Sequence, residues 1–485
     1  ALYNRFEDIK KEFTMNLDGV LALEQLLPLV EQAEVLSDKY DVVVTNPPYL
    51  KADNIPTKLA DYIYKKNTYA KYDLYAAFIY KSYSYLKQNG ILGMITMHNF
   101  MYAPSFLNMR NEIKHWDWIS LLHLGSRAFS EISGEVVQTA AYVISKTNIK
   151  RKMKVVDVTK FNDSDLKEKE FLNRNCEIYS FDISKIDIIP GNAFGYDLSD
   201  TILDLYKEKL FLGDYGISKA GIVTGKDSYF IKFWHEVNYN DITFNPNYND
   251  ISYKYVLFSK GGTFNKWYGN TQNVLKLSDL WDDTKTNKSV RRGDVDVYYK
   301  KGIGWSQMGG GVNKSYSQIE NAVCKTTTPM LYPNKKYFEY ILGYLNSNIP
   351  PRVLKSLNPT LSILTSDIMN LPIIYDEQYA EEIKKIVEKS IEISKLLYSQ
   401  KEENYQFLKN PLLLYGKGRI SDSLNKYCEK VYKLEKEMFI YQKRLNEIFS
   451  NIFSIKNVQT INFESSIDKK NEIIRFMSYF VGCCM

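Results

Sequence analysis

Asp41-Val-Val-Val-Thr-Asn-Pro-Pro-Tyr49 joins a short apolar run to a stop made of two consecutive prolines. An apolar run of this length, ended by such a stop, is typical of a buried strand in a parallel sheet. Ligands bind at the carboxyl ends of these strands in open α/β sheets. The tetrapeptide Asn46–Tyr49 is therefore expected where the fold would place a ligand, although Asn-Pro is also a common way to end a strand.

The segments on both sides of this strand predict an α/β sheet. Residues 1–40 have the apolar spacing of a helix that packs on a sheet, and a second helix is predicted at about Asp73–Leu86. Three further apolar runs are predicted as strands: Ile91–Thr96, Ile119–Leu124 and Gln138–Ser145. Strands and helices joined by short loops indicate a layered sheet.

The sequence changes character after residue 210. Residues 211–375 hold short aromatic and β-branched runs broken by glycines, which predicts a β-rich module with many loops. Residues 377–446 have apolar residues at helical spacing among lysines and glutamates, which predicts long amphipathic helices. The chain is accordingly divided into a sheet-forming part at 1–150, a connector at 151–210, a β-rich domain at 211–375 and a helical region at 376–485.

Charge and composition narrow the class of protein. The 485 residues carry a net charge of +6, and residues 211–375 hold 19 Lys/Arg against 13 Asp/Glu, whereas residues 1–150 hold 16 of each. Such an excess is expected of a module that faces a polyanion, although ordinary surfaces also reach it. Five cysteines without CxxC spacing and four histidines argue against a disulfide framework or a metal site, and predict a reducing, cytoplasmic location. No apolar run reaches the ~18 residues of a membrane span.

Asn46-Pro47-Pro48-Tyr49 has the residue types needed to methylate an exocyclic amine. The lone pair of such an amine, for example adenine N6, is delocalised into the ring, so the amine is a poor nucleophile until two acceptors hold its hydrogens. The side-chain oxygen of Asn46 and the carbonyl of Pro47 can be these acceptors, and the prolines add no competing N–H donor. Tyr49 supplies an aromatic face for a base taken out of the duplex. This chemistry depends on positioning and on stabilising charge at the amine, without a metal.

The sequence resembles the amino-group DNA methyltransferases, and more closely the PglX family, the large adenine-specific methyltransferases of BREX and phage-growth-limitation defence systems. The resemblance extends over nearly the whole chain. The order and spacing of the following segments carry it: Tyr40–Tyr49, Asp73–Phe78, Gly134–Thr139, Gly221–Gly225, Gly261-Gly262, Lys266–Asn270, Gly302–Ser306, Leu342–Ser347 and Leu357–Thr360.

The resemblance implies a fold and a function. The fold is α/β: a partial Rossmann-like methyltransferase sheet, then a β-rich target-recognition domain and a helical C-terminal region. The implied function is adenine-N6 DNA methylation in a BREX-like or type IIG-like restriction-modification system, with S-adenosylmethionine (SAM) as cofactor and double-stranded DNA and other defence proteins as partners. Two alternatives stay open: a non-enzymatic DNA-specificity module of a defence complex, and a methyltransferase that acts on RNA or on a protein amide.

The resemblance also assigns residues to the site. The tetrapeptide Asn46–Tyr49 matches the catalytic motif. Asp73, Tyr75 and Phe78 match the segment that lines the cofactor and base pocket. In addition to Tyr49, Phe129 matches a second base-stacking aromatic. Capping of the following helix is the alternative role for Asp73, and core packing is the alternative role for Phe129.

Target recognition is expected in residues 211–375. The candidates for phosphate or base contacts are Lys219, Lys226, Lys260, Lys266, Arg291, Arg292, Lys300 and Lys301, and those for apolar contacts are Trp267, Tyr268 and Trp305. For any single one of them, an ordinary surface lysine or core aromatic is the alternative. The hypothesis therefore concerns the cluster.

The main departure from the family's pattern is that the expected SAM loop is missing from this sequence. That glycine-rich loop and its acidic ribose partner lie upstream of the tetrapeptide in this arrangement, yet Gly19 is the single glycine before Asn46. Later glycines at Gly302–Gly304 and Gly309–Gly311 lack the flanking strand and helix of such a loop, which disfavours a permuted order. We therefore expect a fragment that lacks the SAM loop and the family's C-terminal end, and that binds SAM weakly.

Overall fold

The computed structural model describes residues 8, 17–129, 137–219, 221–248, 250–360, 362–415, 418–455 and 462–484, with side chains described from residue 26 onward within the first helix. The chain divides into two compact units, Ala1–Asp197 and Leu198–Met485. Of the described helices, none combines the length and the apolar character that a bilayer span requires.

A six-stranded mixed sheet forms the first unit. Its elements are, in chain order, α1 (Leu17–Ser37), β1 (Tyr40–Thr45), α2 (Thr57–Lys66), α3 (Leu74–Ser84), β2 (Leu86–Met97), α4 (Leu107–Ile113), β3 (Asp117–Ser126), β4 (Gln138–Ser145), β5 (Met153–Asp157), α5 (Ser164–Leu172) and β6 (Glu177–Phe181). The strands lie in the order β1-β2-β4-β3-β5-β6. β1 and β2 are parallel, as are β3 and β5, and β4 is antiparallel to both of its neighbours. The carboxyl ends of β1, β2, β3 and β5 therefore share one edge of the sheet, the carboxyl edge.

The predicted α/β character is confirmed, and the sheet is larger than expected. β4 has the predicted bounds, and β1, β2 and β3 each contain their predicted apolar run. β5 and β6 come from residues 151–210, the predicted connector, and they extend the sheet past residue 150. These two strands are short, with polar residues among the apolar ones, which explains why no strand was predicted there.

β1 and α1 are more exposed than the sequence predicts. Val42 is 59 % and Val44 76 % exposed, because β1 has one strand neighbour and this face of the sheet is not covered by the described residues. Leu29 and Leu36 of α1 are 58 % and 59 % exposed. The predicted buried strand is therefore a half-exposed edge strand, and the described part of α1 leaves these leucines unburied.

The core of the first unit fixes the turn that follows β2. Trp118 of β3 stacks on Phe100 with ring centroids 6.2 Å apart. The fully buried guanidinium of Arg110 donates to the carbonyl oxygens of Phe100 (2.9 Å), Ala103 (2.8 Å) and Gly191 (2.6 Å). A buried charge must be satisfied by hydrogen bonds of this kind, so Arg110 holds the turn after β2 in place.

The second unit contains two small sheets and a set of helices. Its elements are α6 (Asp200–Lys207), β7 (Gly216–Lys219), α7 (Asp227–Phe230), β8 (Ile231–Phe233), β9 (Ile242–Thr243), β10 (Tyr255–Ser259), β11 (Trp267–Tyr268), β12 (Asn273–Lys276), α8 (Leu277–Asp283), β13 (Gly302–Gly304), β14 (Ser317–Ile319), β15 (Ala322–Cys324), β16 (Met330–Pro333), α9 (Phe338–Leu345), α10 (Ile349–Leu357), α11 (Thr365–Met369), α12 (Glu377–Ser399), α13 (Ile420–Ile452) and α14 (Lys469–Cys484). One sheet has the order β15-β10-β12-β8 with β9 beside β10, and the other has the order β11-β14-β13-β16-β7.

The long helices of this unit pack closely on α9. Gly343 of α9 faces α12, where an added Cβ would lie 3.1 Å from side-chain atoms of both Ile383 and Val387. α12 and α13 are further joined by Arg444, whose Nε donates to an oxygen of Glu382 at 2.7 Å. A small residue at 343 therefore allows the close approach of these helices.

Candidate functional site at the carboxyl edge

The tetrapeptide Asn46–Tyr49 directly follows β1 at the carboxyl edge. Asn46 and Pro48 are exposed, Pro47 is buried and Tyr49 is half-buried. The Tyr49 hydroxyl donates to Asn46 Oδ1 at 3.0 Å, and its ring meets Tyr75 edge-on, with centroids 6.2 Å apart. Burial raises the pKa of Tyr49. The tetrapeptide thus presents an amide oxygen and an aromatic ring together at the surface.

Asp73 fastens this loop to α3. Its Oδ1 accepts from the backbone N–H of Leu50 at 3.0 Å and of Tyr75 at 3.4 Å. The second bond is the N-cap of α3, and the first joins that cap to the residue after the tetrapeptide. Burial raises the pKa of the Asp73 carboxyl, although these backbone N–H groups act in the opposite direction. The structure therefore supports the capping role for Asp73, and we call the arrangement the Asp73 clasp.

Tyr75 forms the wall behind Tyr49. It is fully buried, and its hydroxyl donates to Asn99 Oδ1 at 2.5 Å. Asn99 lies in the short turn His98–Met101 that follows β2 at the same edge. Sequence reasoning did not select Asn99 or His98. Their position directly after the second predicted strand was a signal that could have found them, because parallel strands end at the same edge.

The two other predicted aromatics lie apart from this contact. Phe78 is 36 % exposed and lines a groove between α2 and α3, with Tyr62 and Ile63 on its other wall. Phe129 is half-buried and follows β3. The predicted segment Gly134–Thr139 lies outside the described residues at positions 134–136. The structure brings Asn46, Tyr49, Asp73 and Tyr75 together and gives Phe78 a different environment.

A cleft of about 900 Å³ runs from Asn46 across the exposed face of the sheet. Most of its lining is apolar, including Val44, Met94 and Phe171, and its charged members are Lys154 and Arg174. SAM needs a carboxylate for its ribose hydroxyls and a glycine-rich turn for close backbone contact. The described lining offers neither, so it does not fit SAM.

The predicted DNA-contacting residues fall into separate groups in the second unit. Arg291 is exposed, and its backbone pairs with Val223 beside Lys226, which is also exposed. Lys260 and Lys325 both lie near Asp227 and help to lower the pKa of its carboxyl, although burial acts in the opposite direction. Lys325, which the sequence analysis did not select, forms an ion pair with Asp227. These residues form a basic group around the loop Val223–Asp227, which we call the 223–227 loop.

Other members of the predicted set are engaged elsewhere. Lys219 pairs with Asp294 at 2.7 Å, Lys300 lies over the ring of Tyr248, and Lys301 pairs with Glu339 at 3.2 Å. The guanidinium of Arg292 lies 4.0 Å from the ring centroid of Trp281. Lys219, Lys300 and Lys301 are exposed, whereas Arg292 is half-buried.

Lys266 and the three predicted aromatic contacts are corrected by the structure. Lys266 Nζ donates to the carbonyl oxygen of Asn346 at 3.2 Å and to Gln442 Oε1 at 2.9 Å, and burial lowers the pKa of its ammonium to about 8. The other three side chains are in the core, with exposures of 2 % for Trp267, 8 % for Tyr268 and 2 % for Trp305. Their bulk fills the interior between short strands, so they do not present a surface to DNA.

Known methyltransferases resemble this chain in sequence. Residues 3–129, which contain the tetrapeptide and the Asp73 clasp, match the Eco57I restriction-modification methylase family. The chain is 27 % identical over 487 residues to the adenine-specific methyltransferase PglX of Lacticaseibacillus casei (strain Zhang). It is 29 % identical over 469 residues to the adenine-specific methyltransferase BrxX of Escherichia coli O9:H4 (strain HS). This chain is similar to adenine-specific methyltransferases of the PglX type. The resemblance predicted from the sequence is therefore confirmed.

These similarities cover nearly all of this chain but less than half of each relative. They cover 95 % and 94 % of this chain, but 40 % of the PglX relative and 37 % of the BrxX relative. Among solved structures, the type IIL restriction-modification enzyme MmeI in complex with DNA matches with a TM-score of 0.52 at 11 % identity, over 92 % of this chain and 57 % of that one. The chain thus spans well under half the length of the curated relatives it matches, and it shares its fold with MmeI.

Proposed function

We propose that this chain carries the acceptor site and the target-recognition region of an adenine-N6 DNA methyltransferase of a phage-defence system. The observation that carries the proposal is the placement of Asn46 Oδ1 at the carboxyl edge, 3.0 Å from the hydroxyl of a tyrosine whose ring can stack on a base. The similarity to proteins named adenine-specific methyltransferases supports the choice of adenine and of methyl transfer.

The acceptor amine is held by two oxygens in this proposal. Asn46 Oδ1 and the Pro47 carbonyl accept the two N6 hydrogens, which directs the nitrogen lone pair away from the ring. In the present structure Tyr49 donates to Asn46 Oδ1, so this hydrogen bond has to open or be shared when the amine arrives. The Tyr49 ring then stacks on the flipped base, with the buried Tyr75 behind it. Preorganised acceptors lower the barrier because they need not reorient as charge develops on N6.

The proposed methyl donor is SAM, which supplies an electrophilic methyl group. Asp73 is occupied by backbone N–H groups, and Phe78 lies in a separate groove, so the described residues are assigned to the acceptor side of the reaction. SAM binding is not assigned to any residue of this chain.

Target recognition is proposed for the second unit. The exposed Arg291 and Lys226 at the 223–227 loop carry charge that phosphates would attract, and an arginine fork suits guanine. The domain bounds predicted from the sequence, 211–375 for recognition and 376–485 for the helical region, remain part of the proposal.

Methylome sequencing of cells with and without the complete gene tests this function. We expect N6-methyladenine in one short motif that disappears when the gene is deleted. An unchanged DNA methylome, with methylation found instead in RNA or on a protein amide, would move the substrate to the alternative class. An unchanged methylome together with retained motif-specific DNA binding would favour the non-enzymatic specificity module.

A further inference from the structure

A line of polar side chains, four of them buried and the last half-buried, runs along the carboxyl edge. Asp157 ends β5, Tyr196 follows the sheet in sequence, His123 lies in β3, and His98 and Tyr102 follow β2. Their exposed fractions are 4 % for Asp157, 9 % for Tyr196, 7 % for His123 and 2 % for His98. Buried polar groups are costly unless each is hydrogen-bonded, so a continuous line of them needs a physical reason.

Each neighbour in this line is within hydrogen-bond distance of the next. The Tyr196 hydroxyl lies 2.9 Å from Asp157 Oδ2 and 2.6 Å from His123 Nδ1. His123 Nε2 lies 2.7 Å from His98 Nδ1, and His98 Nε2 lies 2.8 Å from the Tyr102 hydroxyl. The line crosses β4 at Ala140, which pairs with His123 on one side and with Thr96 on the other.

The Asp157 carboxylate, at one end of the line, determines which group donates and which accepts in every hydrogen bond of the line. An ionised carboxylate only accepts, so the Tyr196 hydroxyl donates to Asp157 and must itself accept from His123 Nδ1–H. A neutral His123 then has a bare Nε2, which accepts from His98 Nδ1–H. His98 Nε2 is bare in turn and accepts from the Tyr102 hydroxyl. Burial and the neighbouring His123 hold the pKa of His98 well below its usual range, which keeps that ring neutral.

Charged and titratable groups also surround the line. Lys167 of α5 faces Asp157, and its Nζ donates to the carbonyl oxygens of Val158 (3.0 Å) and Phe161 (2.6 Å). Tyr179 and Asp197 face Tyr196. A lysine close to Asp157 favours the ionised carboxylate that the directed line requires.

We propose that Asp157, Tyr196, His123, His98 and Tyr102 form a tautomer-locked relay that positions the acceptor site. One of its members, His98, begins the turn His98–Met101. The next residue of that turn, Asn99, accepts a hydrogen bond from the hydroxyl of Tyr75. The ring of Tyr75 in turn packs edge-on against the ring of Tyr49. The members act through other side chains, so they are positioning residues. The hydrogen-bond direction rests on these distances together with the ionised Asp157 carboxylate, whereas the effect on methylation rests on the proposed function.

Histidine-selective ¹⁵N NMR on the full chain tests the relay directly. The protein has four histidines, and the other two, His115 and His235, are exposed and serve as internal references. We expect His98 and His123 each to carry the proton on Nδ1 at neutral pH. A proton on Nε2 of either ring would overturn the proposal.

Tyr196→Phe removes the hydroxyl between His123 and Asp157 and keeps the ring. We expect the ¹⁵N shifts of His123 and His98 to move toward a mixture of tautomers. Tyr179→Phe is the matched control, because Tyr179 packs 5.3 Å from Tyr196 while its own hydroxyl points to Glu177. It should leave both histidines unchanged. Unchanged histidine shifts in Tyr196→Phe would contradict the relay.

Methylation by the complete enzyme gives the second readout. Because displaced positioning groups slow transfer strongly, we expect Tyr196→Phe to lower kcat about tenfold at unchanged DNA affinity, with Tyr179→Phe at the wild-type rate. A wild-type kcat in Tyr196→Phe would overturn the positioning role. An inactive wild-type enzyme would contradict the proposed function and not the relay, since the NMR measurement needs neither donor nor DNA.

Discussion

Asn46 and Tyr49 are held by groups that the tetrapeptide alone does not reveal. Asp73 was predicted from family resemblance as a pocket residue, yet its carboxylate acts on backbone N–H groups of Leu50 and Tyr75. His98 was not selected from the sequence although it follows the second predicted strand, because its partner His123 lies 25 residues further along the chain. At this scale, hydrogen-bond partners far apart in the chain decide the role of each residue.

His98 should make stability depend on pH. Its pKa is lowered in the folded state. As the pH falls, His98 of the unfolded chain therefore binds a proton near the ordinary pKa of 6.5, whereas His98 of the folded chain stays neutral to lower pH. Stability is then fully present above about pH 6.5 and falls as the pH drops toward the folded pKa, by up to ~1.4 kcal/mol per pH unit. Denaturant unfolding between pH 7 and 5.5 measures this slope.

His98→Gln should flatten that dependence, whereas His115→Gln, at an exposed position, should retain it. An unchanged slope in His98→Gln would show that another group takes up the proton.

At the scale of elements, the Asp73 clasp joins the loop after β1 to the start of α3. Asp73→Ala removes an N-cap and leaves the Leu50 N–H without its acceptor, so we expect a loss of ~2 kcal/mol in unfolding free energy. Asp73→Asn keeps the acceptor oxygen and should lose less than ~0.5 kcal/mol, because asparagine caps about as well as aspartate. Denaturant unfolding measures both.

Asp73→Ala and Asp73→Asn together also distinguish a capping role of Asp73 from a role of its carboxylate charge in the site. If Asp73→Asn were as inactive in methylation as Asp73→Ala while remaining stable, the carboxylate charge would have a function that the clasp does not explain.

Arg291 and Arg292 are neighbours in sequence with different surroundings. Arg291 is exposed at the 223–227 loop, so Arg291→Ala should weaken DNA binding and reduce the slope of log affinity against log salt by ~1. Arg292 stacks on Trp281, so Arg292→Ala should instead cost ~0.5–1 kcal/mol of stability. Fluorescence anisotropy at several salt concentrations and denaturant unfolding distinguish the two.

Arg419→Ala removes an exposed arginine at the start of α13 and is the charge-matched control for DNA binding. If it lowers affinity and the salt slope as much as Arg291→Ala does, the effect is one of net charge and not of a site at the 223–227 loop.

For the whole molecule, the sequence predicted the kind of fold and the position of the tetrapeptide. Apolar runs such as Gln138–Ser145 gave strand positions because their local pattern matches their burial. The apolar pattern did not predict burial at every position, since Val44 is apolar but lies on an uncovered face of the sheet. The short strands β5 and β6 were missed because their pairing is decided by the rest of the sheet.

The site was predictable where a contiguous motif carries it and not where side chains meet across the fold. The relay joins β2, β3 and β5 with the segment at Tyr196, and no local pattern links these positions. In the second unit, aromatic residues such as Trp305 read equally well as surface contacts or as core, and only their packing decides between the two.

The role of Asn46 at the reacting amine is tested by the rate of methyl transfer by the complete enzyme carrying Asn46→Ala, with DNA affinity measured in parallel. Loss of one preorganised acceptor should cost ~2.7–4 kcal/mol, a fall in kcat of about 10²–10³-fold, with DNA affinity within a few fold. Asn54→Ala, an exposed asparagine in the next turn, should keep the wild-type rate. A wild-type rate in Asn46→Ala would show that Asn46 does not act on the amine.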